Sequence, residues 1–96
     1  MNNLPLQFYT YFEKQKQIAE RFSRLRKQQK LSREKISNLS GVPYETIRRF
    51  ERDGEISLSS LVKLCLAMQL YDDIDNLFKE RKNYKTIEDV MNDEQD

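Results

Sequence analysis

Leu31-Ser32-Arg33-Glu34-Lys35-Ile36-Ser37-Asn38-Leu39-Ser40-Gly41-Val42-Pro43-Tyr44-Glu45-Thr46-Ile47-Arg48-Arg49-Phe50-Glu51 decides the fold of this 96-residue chain. Ser32 offers a hydroxyl to the unpaired N–H groups of a helix that starts directly after it. Lys35 stands where Glu or Gln would complete a reciprocal capping box, so the cap is one-sided. Ile36 and Leu39, three apart, predict an inward face, and Ser37 is small enough to let two helices cross closely. Gly41 takes the positive φ of a tight turn at no steric cost. Val42 is the apolar plug of that turn, and Pro43 presets φ for the first turn of a second helix. On that helix Ile47 and Phe50 form the inward pair. Tyr44, Glu45, Arg48, Arg49 and Arg52 are left pointing outward.

Upstream, Leu4, Leu6 and Phe8 alternate with Pro5 and Gln7, which reads as a short extended arm. The same residues can open a long helix, because proline is tolerated in a first helical turn. Phe8, Tyr11/Phe12, Gln15, Ile18/Ala19, Phe22 and Leu25 recur at three- and four-residue intervals. The expectation is an arm to about Leu6 and a helix from there to about Gln28. Phe8, Tyr9, Tyr11 and Phe12 exceed what one helix face needs. They pack either on the chain's own C-terminal helices or against a dimer or partner surface. Ile18, Phe22 and Leu25 make the inward stripe of the later turns. Arg21, Arg24, Arg26 and Lys27 are read as outward, on a solvated face or near phosphate.

Downstream, Asp53-Gly54 predicts a turn and Ser57 caps a fourth helix. Its stripe is Leu58, Leu61, Leu64/Cys65 and Met68, widened by Val62, Leu66 and Ala67, so it is expected to be the most buried helix. Cys65 reads as a small core residue. A fifth helix is expected to begin at Asp72 or Asp73, with Ile74, Leu77 and Phe78 facing in and the carboxylates favoured at the positive end of the helix dipole. Ile87, Val90 and Met91 suggest one or two further amphipathic turns, and Asn92 to Asp96 an acidic tail disordered in isolation.

The totals agree with an all-α class: 34% charged residues, two glycines, two prolines, and no run of alternating apolar residues apart from the weak one at the N-terminus. With no histidine and one cysteine, a zinc site and a Ser-His or Cys-His pair are excluded, so neither a cofactor nor an enzyme is expected. No secretory signal or membrane span is recognisable, and a cytoplasmic, nucleoid-associated protein is expected. The net charge of +1 does not signal nucleic acid, but its distribution is uneven. Residues 1–57 carry 12 Lys/Arg against 7 Asp/Glu, and residues 58–96 carry 5 against 9. A basic half joined to an acidic half suggests one face for DNA and another for protein.

From roughly Ile18 to Phe78 the chain resembles the lambda-repressor/Cro-type (XRE) helix-turn-helix regulators. The resemblance rests on the Leu31-Ser32 opening, the small Ser37, the Ser40-Gly41-Val42 turn and the Ile47/Phe50 pair. The Glu51-x-Asp53-Gly54 ending and the leucine-rich helix after it agree. It implies a five-helix DNA-binding domain at residues 17–80, an N-terminal arm or helix extension at 1–16 and a C-terminal tail at 81–96. It implies that Arg33 reaches backbone or base edges, that Tyr44, Glu45 and Arg49 face the bases, and that Thr46, Arg48 and Arg52 meet phosphate or the groove edge. Arg49 suits guanine O6/N7, and Glu45 either accepts from cytosine N4 or pairs with Arg48 or Arg49. Tyr44 stands where the family often has Gln, a departure that bears on the target sequence. The implied function is that of a dimeric repressor on double-stranded operator DNA. The run from Thr46 to Leu58, with Leu70-x-Asp72-Asp73-Ile74-Asp75-Asn76-Leu77-Phe78, also resembles small regulators paired with HipA-type kinase toxins. That likeness implies an autoregulating antitoxin. The alternative function is an adaptor whose main role is to hold a partner protein.

Overall fold

A computed structural model describes residues 7–81, with side chains from residue 10 onward. Among these residues the chain forms five helices and no strand: α1 (Gln7–Gln28), α2 (Arg33–Ser40), α3 (Tyr44–Asp53), α4 (Leu58–Ala67) and α5 (Tyr71–Asp75). The expectations at Ile87, Val90, Met91 and the acidic end lie outside the described residues, as do the side chains of Phe8 and Tyr9.

The turns form where their chemistry requires. The Ser32 hydroxyl accepts from the Lys35 N–H at 3.0 Å, opening α2. Gly41 ends it at φ +78°, donating its N–H to the Ser37 carbonyl. The Ser37 hydroxyl donates to the Val42 carbonyl at 2.6 Å, and the Val42 N–H donates to the Ser40 hydroxyl at 3.1 Å. Those bonds hold Val42 in its plugging position, where it is buried. Pro43 is the residue before α3, with its carbonyl accepting from Thr46 and Ile47. Ser57 caps α4 by accepting from the Ser60 N–H. Two other ends close without glycine: Lys30 and Gln69 sit at φ +58° and +60°, with Leu31 N–H bonded to the Arg26 carbonyl and Leu70 N–H to that of Cys65.

The core collects Ala19 and Phe22 from α1, Ile36 from α2, Val42 from the turn, Ile47 and Phe50 from α3, and Leu64 and Met68 at α4. Phe22 meets Phe50 edge to face at 5.3 Å between centroids, where α1 crosses α3. The same crossing passes over the α3 C-terminus. Gly54 is at φ +80°, and a β-carbon added there would lie 2.7 Å from the Gln15 backbone. Gln15 uses that proximity to donate its side-chain amide to the Gly54 carbonyl at 2.9 Å.

Several expected faces are corrected. Arg26 is buried, not outward, and Ile18 is exposed: the inward face of α1 runs through Ala19, Phe22 and Arg26. Arg26 occupies that position because every donor it turns inward finds an oxygen, as described below. Leu39 is 57% exposed, since α3 and α4 cover the Ile36 side of α2 and nothing described covers its last turn. Leu58 and Leu66 are also exposed, so α4 is covered on part of its apolar surface only. α5 starts at Tyr71 with Asp72 and Asp73 in its first turn and stops at Asp75. The chain then turns at Phe78 (φ +58°), which takes Leu77 and Phe78 off the inward face. Phe78 is 88% exposed. Tyr11 and Phe12 are exposed as well, with the Lys16 ammonium 5.9 Å over the Phe12 ring, so these two do not pack on the C-terminal helices.

Candidate nucleic-acid interface

With Ile47 and Phe50 turned into the core, the 100° step of α3 sends Glu45, Arg48, Arg49 and Arg52 to the opposite side. All four are exposed. Glu45, Thr46, Arg49 and Arg52 line one shallow groove. A helix about 10–12 Å across fits a DNA major groove about 12 Å wide, and ten residues present a face about 15 Å long to it.

The three arginines differ in what they hold. Arg48 pairs with Glu45 one turn back at 3.4 Å, with both side chains at least half exposed. Arg52 donates twice to the carboxylate of its neighbour Asp53, at 3.0 and 2.9 Å. The Asp53 carboxyl is held below the usual carboxylate range, chiefly by that bond. Arg49 makes no hydrogen bond or ion pair with a carboxylate among the described residues, although its charge helps to hold down the Asp53 carboxyl, and its guanidinium is open to a bidentate acceptor. Glu45 therefore takes Arg48 of the two partners open to it.

Tyr44 and Glu51 lie seven residues apart on one flank of α3, and that flank faces the start of α2. Arg33 donates its Nε–H to Glu51 Oε1 at 2.8 Å. Its pKa is raised, first by the hydrogen bond to Glu51 and to a lesser degree by the Tyr44 hydroxyl beside it. Arg33 and Tyr44 are thus brought together, although eleven residues of chain separate them.

Glu51 is the centre of a cluster that inspection of the sequence missed. Arg26 donates Nε–H to Oε2 at 2.7 Å and Nη2–H to Oε1 at 3.0 Å, and spends Nη1–H on the Leu31 carbonyl at 2.7 Å. The Ser23 hydroxyl reaches Oε1 at 3.5 Å. The Glu51 side chain is 3% exposed and that of Arg26 7%, whereas Arg33 keeps 38%. Burial pushes the Glu51 carboxyl up, but the bonds from Arg26 and Arg33 outweigh it and hold the pKa below the ordinary value. A signal was available: Arg26 follows Phe22 by four and Glu51 follows Ile47 by four, so opposite charges occupy the apolar-face register of two helices.

Of the seven expected site residues, Glu45, Thr46, Arg49 and Arg52 share one groove, Arg48 flanks it, and Tyr44 and Arg33 extend it towards α2. Among the described residues no group of His, Cys, Asp or Glu is arranged to hold a metal, and no helix is long and apolar enough to cross a membrane. A family model described as helix-turn-helix matches residues 22–73, more than half of the chain. Neither the curated proteins nor the solved structures contain a match to it.

Proposed function

Because the chain belongs to the helix-turn-helix family of the lambda-repressor (XRE) type, and is thereby a DNA-binding transcription regulator, we propose that it is a sequence-specific repressor acting as a homodimer on its operator. One observation carries this reading: α3 turns Glu45, Arg48, Arg49 and Arg52 to solvent on one face while Ile47 and Phe50 anchor the other. A face of that length covers a few base pairs. Two copies reading half-sites about 34–36 Å apart supply the rest of the specificity. Arg49, the one α3 arginine in no hydrogen bond or ion pair among the described residues, reads a guanine edge; Glu45 and Tyr44 face neighbouring bases. Thr46, Arg48, Arg52 and Arg33 meet phosphates or the groove edge. Residues 17–80 are the DNA-binding unit, 1–16 an N-terminal arm or helix extension of it, and 81–96 a C-terminal tail. The protein works in the cytoplasm, at the nucleoid.

Gel shifts on the region upstream of its own gene test the reading. Arg49→Ala should relax base preference, and Arg48→Ala should weaken binding evenly on all sequences. Equal losses on every sequence for both variants would refute the assignment of roles.

A second reading is favoured by the exposed Tyr71, Leu77 and Phe78 beside Asp72 and Asp73. It makes the chain an antitoxin or adaptor that grips a partner, such as a HipA-type kinase toxin, as well as an operator. Co-purification with the product of the adjacent gene, lost on deleting residues 83–96, supports it; survival of the complex after that deletion removes the tail from the contact.

A further inference from the structure

We propose that Glu51 is a positioning residue for DNA binding, a buried carboxylate that aims Arg33 at a backbone phosphate. The proposal rests on the DNA-binding reading above and adds a residue that never touches the nucleic acid. Glu51 divides its two oxygens unequally. Oε2 serves Arg26 alone, while Oε1 takes Arg26, Arg33 and the Ser23 hydroxyl. All three guanidinium nitrogens of Arg26 bond inside the protein, two to Glu51 and the third to the Leu31 carbonyl. Arg33 differs. It gives Glu51 only its Nε–H, and more than a third of its side chain stays in solvent. A guanidinium anchored through Nε keeps two terminal NH2 groups, the fork that grips a phosphate in a fixed direction.

The surroundings fit that use. Arg33 and Glu51 share a cleft with Ser23, Arg24 and Lys27 of α1, so two further cations flank the fork. Glu20 also lines it and, among the described residues, is the one carboxylate there without an internal partner. The Tyr44 hydroxyl, at the start of α3, also lies beside Arg33. Anchoring through Nε removes in advance part of the rotamer freedom that a free arginine would lose on binding.

The test exploits an opposition of sign. A spectator carboxylate near DNA repels phosphate, so neutralising it should tighten binding. A positioning carboxylate, once neutralised, should weaken binding even though the protein gains a positive charge. We expect Glu51→Gln to weaken binding to a mixed-sequence duplex roughly tenfold, and to have no such effect in an Arg33→Gln background. Arg33→Lys keeps the charge and leaves the Arg26–Glu51 pair intact but loses the fork. It should fall almost as far as Arg33→Gln, which lowers the slope of log K against log salt by about one. Circular dichroism melts establish which variants are folded, and Arg33→Lys decides the matter if Glu51→Gln is not. Wild-type affinity in Arg33→Lys, or tighter binding by folded Glu51→Gln, overturns the proposal and leaves the DNA-binding reading standing. A wild-type chain that shows no salt-dependent binding to any duplex overturns both.

Discussion

Arg49 and Glu51 are two residues apart in sequence and opposite in situation, and mutation should show it. Arg49 is exposed and makes no hydrogen bond or ion pair among the described residues, so Arg49→Ala should leave the melting temperature almost unchanged and cost about 1–3 kcal/mol on the preferred operator. Glu51 is enclosed by cations. Glu51→Ala strands the Arg26 guanidinium in the core and should destabilise the fold by about 3–5 kcal/mol, read by chemical denaturation. The acid response follows from the sign of its shift. Its folded pKa lies below the usual carboxylate value of 4.5, so its stabilisation is complete above that value and drains away as pH falls through the lower, folded one. Melting temperatures should therefore be flat from neutrality to about pH 5 and then drop, and the drop should shrink in Glu51→Gln if that variant folds. Cys65, its pKa raised chiefly by burial, should resist alkylation until the chain is unfolded.

Among the elements, the two glycines separate two reasons for having no side chain. Both stand at positive φ, but nothing lies within 4 Å of a β-carbon at Gly41, whereas at Gly54 the Gln15 backbone is 2.7 Å away. Gly41→Ala should cost only the conformational penalty, about 1–2 kcal/mol. Gly54→Ala should cost at least about 1 kcal/mol more, because α1 must move off the end of α3. The conformational half of this was legible in the sequence: a glycine after a run of helix formers, Ser32 and Ser57 before them. The crossing half was not, because Gln15 and Gly54 are joined only by tertiary packing. Likewise Lys30 and Gln69 close helices in the left-handed conformation without the glycine that would have announced it. Leu77 and Phe78 left the inward face because α5 stops at Asp75; Leu39 and Leu58 were misread for a different, shared reason. Apolar spacing reports which residues share a face, and says nothing of whether another element arrives to cover it.

At the scale of the whole molecule, the basic and acidic halves seen in the sequence belong to different ends of the helical array: the arginine face on α3, and Asp72, Asp73 and Asp75 on α5. The outward row on α3 was legible because Ile47 and Phe50 fix its phase. The Arg26–Glu51–Arg33 cluster was not, because long charged side chains are ordinarily solvated and only assembly shows which are enclosed. If the regulator pairs on its operator, sedimentation of the DNA complex should report two chains per duplex site, with insertion of half a helical turn between half-sites abolishing the tighter binding. The clasp between Gln15 and Gly54 also bears on how the molecule assembles. It closes a loop of 39 residues, a larger entropic cost than that of pairing α2 with α3 across their three-residue turn. The N-terminal half of α1 should then dock last and open first, at a free energy below that of global unfolding. Native-state hydrogen exchange would read this as amides of residues 10–16 exchanging ahead of those of Ile47 and Phe50, with Gln15→Ala widening the gap.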